Sequence, residues 1–176
     1  LERKNRLTEF CKGNNFLKLC LANYTFEVDL LMNNNSLVYI HCLDKIYTRQ
    51  ADIDKSKKKL EDASVEISGV EVLRIADKVG KGWLALLVAE ELVYNTYIPN
   101  YILDAIVFAA CSLNASSKVK AILYRLMVLR ENDNDNDNYK EEANKFVIEG
   151  KSEETIINEF CDTFQDDQLT KFLKIL

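Results

Sequence analysis

The chain has little of the two residues that most often interrupt helices. Its 176 residues include one proline and five glycines, against average usage of about 5% and about 7%. It also lacks any apolar run near the ~18 residues of a membrane span, and its 48% apolar and 29% charged residues are ordinary for a globular chain. These absences exclude disordered, collagen-like and membrane-spanning proteins, and they predict a mostly helical fold without a membrane partner.

Paired metal-binding cysteines are also lacking. The five cysteines are scattered and form no Cys-x-x-Cys pair, and the only histidine, His41, has just Cys42 beside it. A structural zinc site needs paired ligands at short spacing, so we predict buried, reduced thiols instead. Reduced thiols and the lack of a signal peptide predict a cytoplasmic protein. Since residue 1 is leucine, we expect the chain to be cut from a longer protein.

Charge is divided unevenly along the chain. Residues 1–81 carry 14 basic and 12 acidic side chains, whereas residues 82–176 carry 9 and 16. A contact with a polyanion is therefore expected in the first part, where four lysines cluster within residues 55–59. The alternative, which we favour, is a solvated helix face with i,i+4 ion pairs such as Lys57–Glu61.

Hydrophobic periodicity predicts helices over most of the chain. Alternation in residues 16–21 predicts one short strand, and a helix is predicted from Phe26. Residues 83–93 are apolar on nearly every side, which predicts a buried helix. The further predicted helices cover residues 37–49, 70–78, 100–113, 118–130, 139–149, 153–164 and 168–176, and the last two each have one apolar face.

An Asp/Asn-rich segment at residues 131–138 predicts a linker. Asp133, Asp135 and Asp137 match the first three ligand positions of an EF-hand calcium loop. The match then ends, because Asn138 stands where the loop needs glycine and Asn144 stands where it needs a bidentate glutamate. An acidic linker is the better interpretation.

Two carboxylates, Glu27 and Asp29, lie among apolar residues directly after the predicted strand. Side chains two residues apart in the sequence point about 200° apart around a helix. In an extended chain they lie on the same face. They can share a cation if the backbone there is a strand-to-helix junction. The alternative is that one acid interacts with the helix N-terminus and the other is exposed.

Three segments resemble, in order and approximate spacing, the Toprim domain of OLD-family (overcoming lysogenization defect) ATP-dependent endonucleases. This family includes the nuclease subunit of the Gabija anti-phage system. Thr25–Leu30 (TFEVDL) is similar to the family signature TLEYDL, Gly80–Ala85 (GKGWLA) to the motif KGxFA, and Ile98–Ile102 (IPNYI) to the closing motif IPxYI. Together the segments cover residues 19–110.

The resemblance implies a C-terminal fragment of an α/β Toprim domain, with one or two short strands in residues 1–115, followed by a helical bundle in residues 116–176. It implies Glu27 and Asp29 as ligands of Mg²⁺ or Mn²⁺, and Lys81 as the residue that stabilises charge at the scissile phosphate. DNA is then the substrate, phage defence the expected role, and a homo-oligomer the expected assembly.

The resemblance also implies that this chain alone is inactive. A Toprim domain needs a glutamate and an Asp-x-Asp upstream of the first motif, and residues 1–23 do not contain the strands that hold them. ATP would act only through an N-terminal ATPase, which is absent from this sequence. The upstream Toprim and ATPase segments are therefore expected partners. The alternative is a non-enzymatic helical module whose acidic tail packs on a partner protein.

Overall fold

The computed structural model describes residues 2–110, 113–132 and 138–176, and helices account for the regular secondary structure in these ranges. The prediction of a mostly helical protein is therefore confirmed. A π-helical turn (Val65–Gly69) precedes the sixth α-helix. In chain order the α-helices are α1 (Glu2–Cys11), α2 (Phe26–Met32), α3 (Ser36–His41), α4 (Leu43–Ile46), α5 (Gln50–Leu60), α6 (Val70–Val79), α7 (Lys81–Glu91), α8 (Asn100–Ala109), α9 (Ala115–Glu131), α10 (Asn138–Lys145), α11 (Glu153–Thr163) and α12 (Gln168–Ile175).

The strand predicted at residues 16–21 is not formed, because residues 17–22 have no regular secondary structure. A strand needs a neighbour to pair its backbone N–H and C=O groups, and no described residue forms such a neighbour. The short strands implied by the Toprim resemblance are likewise not seen within the described ranges.

Contacts group the chain into two compact units. The central unit comprises Cys20–Ile102, and the terminal unit comprises Leu1–Leu19 with Leu103–Leu176. All three motifs that resemble the OLD family lie in the central unit. The domain boundary expected between residues 115 and 116 stays a prediction.

In the central unit, α3 and α6 each contact both α2 and α7. These two helices therefore connect α2 to α7. The π-helical turn approaches α2 closely at Gly69, where a Cβ atom would lie 3.3 Å from Val28 Cγ1. This packing fixes the first turns of α2 and α7, which carry the first two motifs. The largest buried apolar side chains of the core are Leu30, Leu31, Tyr39, Leu43, Leu60, Val72, Ile75, Leu84 and Leu87.

Helix α7 differs from the buried helix predicted for residues 83–93. Leu84, Leu87 and Val88 are buried, but Trp83 and Leu86 are 56% and 60% exposed. The helix therefore buries only one face, and its apolar composition alone did not show which face that is.

In the terminal unit, α9 packs against α10, α11 and α12. Ile122 and Leu126 of α9 are buried, as are Phe160 and Phe164 of the segment around α11, whose ring centroids lie 4.7 Å apart. The predicted apolar face of the helix at 153–164 is thus confirmed. The Asp/Asn run at residues 133–137, with its calcium interpretation, lies outside the described residues.

A buried ion pair joins α9 to the start of α12. Both Nη2 and Nε of Arg125 donate to Asp167 Oδ2, at 2.7 and 2.9 Å. The other oxygen of Asp167 accepts from the backbone N–H of Leu169 at 2.8 Å and so caps the helix. No helix in the described ranges has the length and apolar character needed to cross a membrane.

Candidate functional site

Glu27 and Lys81, which belong to different motifs, face each other in the central unit. Lys81 Nζ lies 3.8 Å from Glu27 Oε1, and the two side chains are 58% and 16% exposed. A pair with one such exposed partner contributes little to stability, because water screens the charges. The contact therefore shows that the two charged groups lie close together, and it adds little to the stability of the fold.

Gly80 sets the position of Lys81. It has φ of +87° and ψ of +136°, and it ends α6 and precedes Lys81, the first residue of α7. This backbone conformation is strained for residues with a Cβ atom. The glycine thus permits an abrupt change of chain direction that places the lysine at the start of a helix.

The backbone of Glu27 is anchored in the core. Its carbonyl oxygen accepts a hydrogen bond from Tyr39 Oη at 2.9 Å. Burial, together with the negative charge of Glu27, raises the pKa of the Tyr39 hydroxyl well above its ordinary value, so Tyr39 remains a neutral donor at physiological pH. This bond holds the first turn of α2 in place.

Asp29 is buried, and its carboxylate faces the chain that precedes α2. Oδ2 accepts from the backbone N–H of Asn23 at 3.0 Å, and Oδ1 accepts from that of Tyr24 at 3.2 Å. Carboxylate bonds to backbone N–H groups near a helix start resemble the capping box. In this structure Asp29 therefore orders the segment that leads into the helix.

Tyr101, in the third motif, lies in the electrostatic field of the same two acids. Burial is the main cause that raises the pKa of its hydroxyl, and the charges of Asp29 and then Glu27 raise it further. The charges of the first motif therefore act on the hydroxyl of Tyr101 in the third motif.

Asn35 joins Leu30, the last residue of the first motif, to Tyr97, the residue before the third motif, and was not singled out from the sequence. Its Nδ2 donates to the carbonyl oxygens of Leu30 and Tyr97, at 2.8 and 2.7 Å, and its Oδ1 accepts from the Tyr97 N–H at 2.9 Å. In the sequence, Asn35 belongs to the run Asn33–Ser36, which indicates only a helix break. Nothing there shows that a buried amide pairs with a distant backbone segment.

The backbone at the acidic pair is helical and not extended, because α2 begins at Phe26, before both acids. Glu27 and Asp29 therefore project about 200° apart around the helix. Glu27 is brought to Lys81, whereas Asp29 bonds to the preceding chain. The metal-ligand roles of both acids and the catalytic role of Lys81 stay predictions.

The described residues fit only part of a divalent-metal site. They contain no group of three or more His, Cys, Asp or Glu residues placed to hold a metal, whereas Mg²⁺ takes six oxygen ligands, several of them water. Thr25 Oγ1, two residues before Glu27 in the sequence, is buried without a hydrogen-bond partner among the described residues.

No protein-family model, no curated protein and no solved structure matches the chain. The family resemblance therefore depends on the three motifs alone.

Proposed function

We propose that this chain is the C-terminal segment of an OLD-type, metal-dependent DNA endonuclease. In this proposal the central unit carries one part of a phosphodiester-hydrolysing site, and an upstream segment of the complete protein supplies the remaining acidic ligands. A role in phage defence belongs to the same proposal and depends on the resemblance.

The observation that carries the proposal is the contact between Glu27 and Lys81. The two residues are far apart in the sequence and were selected from separate motifs, yet their charged atoms lie 3.8 Å apart. Near the third motif, the backbone of Tyr97 is hydrogen-bonded to Asn35, whose amide also donates to Leu30 of the first motif.

The chemistry assigned to each residue follows from its charge and exposure. The exposed ammonium group of Lys81 is suited to stabilise the negative charge that develops on a phosphate during hydrolysis. The Glu27 carboxylate would hold Mg²⁺ or Mn²⁺. Asp29 projects about 200° away from Glu27 around α2 and bonds to the preceding backbone, so it would join the same ion only if the first turn of α2 became extended in the complete protein. Such an ion, when bound, activates water and neutralises the leaving oxygen.

The test is Mg²⁺-dependent nicking of a supercoiled plasmid by the complete protein, expressed with its upstream coding sequence. Lys81→Ala is expected to lower the nicking rate by about a hundredfold or more, as removal of one transition-state donor does. Lys120→Ala, which removes an exposed lysine of α9, is the matched control and should nick at the wild-type rate. Circular dichroism checks that both variants fold.

A nicking rate for Lys81→Ala equal to that of Lys120→Ala would remove the lysine from the mechanism. If the wild-type complete protein showed no nicking with either metal, the endonuclease proposal itself would be wrong.

A second candidate function is a non-enzymatic helical interaction module. Two observations favour it. The Asp29 carboxylate bonds to the backbone and so has a structural role, and the apolar side chains of Trp83 and Leu86 are exposed on one face of α7. Absence of nicking by the complete wild-type protein would support this candidate.

A further inference from the structure

A second charged cluster in the central unit is formed by residues outside the three motifs. Its centre is Glu71 of α6, whose side chain is 1% exposed. Glu71 Oε2 accepts from Lys59 Nζ at 2.9 Å and from Arg74 Nε at 3.0 Å, and its Oε1 accepts from Ser56 Oγ at 2.8 Å. One carboxylate therefore holds two cations side by side.

A third cation belongs to the cluster through Tyr47. Arg74 Nη2 donates to Tyr47 Oη at 2.9 Å, and Lys78 Nζ lies 3.7 Å from the centroid of the same ring. The Tyr47 hydroxyl therefore accepts a hydrogen bond from Arg74, and the face of the same ring makes a cation–π contact with Lys78. Tyr47 thus connects Lys78 to the Arg74–Glu71 pair. Three cations surround a single acid.

The cluster carries an excess of positive charge that reaches the surface. Lys59 and Arg74 are 39% and 49% exposed, and Lys78 is exposed. Nη1 of Arg74 has no acceptor among the described residues. Three further acids lie on these helices: Asp52 and Asp77 form no ion pair within the described ranges, and Asp54 accepts a hydrogen bond from Gln50 Nε2.

The single acid stays ionised and cannot balance the three cations. Burial opposes its charge, but hydrogen bonds from Arg74, Lys59 and Ser56 outweigh burial and lower the pKa of Glu71 to about 2. At neutral pH the ionised Glu71 therefore anchors Lys59 and Arg74 directly, while Lys78 contacts the Tyr47 ring and makes no bond to Glu71.

We propose that Lys59, Arg74 and Lys78 form a phosphate-binding site. A phosphate group offers several charged acceptor oxygens, which suit a fixed guanidinium flanked by two ammonium groups. The phosphate comes from the backbone of DNA or from free inorganic phosphate. If the phosphate belongs to DNA, the inference rests on the proposed function, because the cluster is then a further contact with the substrate. If the phosphate is free inorganic phosphate, the inference does not rest on the proposed function.

Binding of a fluorescein-labelled DNA duplex in EDTA, followed by anisotropy over a range of NaCl concentrations, tests the DNA source without any cleavage. Lys78→Gln removes one cation and leaves all bonds to Glu71 in place. It is expected to weaken binding about two- to fivefold and to lower the slope of log K against log salt by about 0.9. Lys120→Gln causes the same change in net charge and should leave the slope unchanged.

Calorimetric titration with inorganic phosphate at constant ionic strength tests the other source. Loss of phosphate binding in Lys78→Gln, with DNA binding unaffected, would assign the site to free phosphate. Equal behaviour of Lys78→Gln and Lys120→Gln in both titrations, or no binding of either ligand by the wild-type chain, would overturn the proposal. Because both titrations are done without catalysis, these outcomes do not depend on whether the complete protein nicks DNA.

Discussion

Substitution of Glu71 by glutamine should destabilise the central unit strongly. The side chain is buried, and it accepts hydrogen bonds from Ser56, Lys59 and Arg74. Glutamine keeps the shape but removes the charge that holds both cations. Breaking a fully buried ion pair costs about 3–5 kcal/mol. Because Lys59 and Arg74 are partly exposed and reach water, we expect a loss of about 2–3 kcal/mol.

Urea unfolding followed by Trp83 fluorescence measures this loss in the relevant unit, because Trp83 is the only tryptophan and lies in the central unit. Glu66→Gln is the matched control, since Glu66 is an exposed acid in the neighbouring π-helical turn. It should change stability by less than about 0.5 kcal/mol. Equal losses for the two variants would refute the assignment of Glu71 as the anchor of the cluster.

The pH dependence of unfolding checks the same contribution independently. The pKa of Glu71 falls from 4.5 to about 2 on folding, which corresponds to about 3 kcal/mol at neutral pH. Because the folded pKa is the lower one, this stability is present above pH 4.5 and is lost as the pH falls towards 2. The Glu71→Gln variant should lose less stability than the wild type over this range.

Two further stability predictions concern buried polar side chains. Asp167→Ala should cost about 3 kcal/mol, because it removes the buried carboxylate that accepts from Arg125 and the cap at the start of α12; the amide hydrogen exchange of α12 should rise selectively. Asn35→Ala should cost about 1–3 kcal/mol, because it removes the bonds to the Tyr97 backbone and to Leu30; unfolding monitored by Trp83 fluorescence measures it, and Asn95→Ala, at an exposed asparagine of the same unit, is the control.

The starts of two helices, α2 at Phe26 and α11 at Glu153, agree with the prediction from apolar periodicity. At α11 the Ser152 hydroxyl accepts from the Thr155 N–H at 3.2 Å, whereas the Thr25 side chain makes no such bond at α2. Helix α9 begins three residues before its predicted start, because the Asn114 side chain accepts from the Ser117 N–H at 2.9 Å.

Features that depend on distant partners could not be predicted in the same way. Alternation in residues 16–21 predicts a strand, but a strand forms only beside a neighbour. The apolar residues of α7 do not reveal which face is buried. At the candidate site, the motif resemblance selected Glu27 and Lys81, which do lie together. A cation shared by Glu27 and Asp29 required an extended backbone, and the structure has a helix at both residues.

The Glu71 cluster shows the same limit for charged residues. In the sequence, Glu71 and Arg74 look like an ordinary i,i+3 pair on a solvated helix face. Only the packing of α5 on α6 buries the acid and brings Lys59 to it.

The most direct test of the central claim is the position of Mn²⁺ in crystals of the complete protein, located by anomalous diffraction. The account predicts a peak within about 2.5 Å of a Glu27 carboxylate oxygen, with the Lys81 ammonium group beside the same pocket. A Mn²⁺ peak held entirely by residues elsewhere, with Glu27 still paired to Lys81, would contradict it.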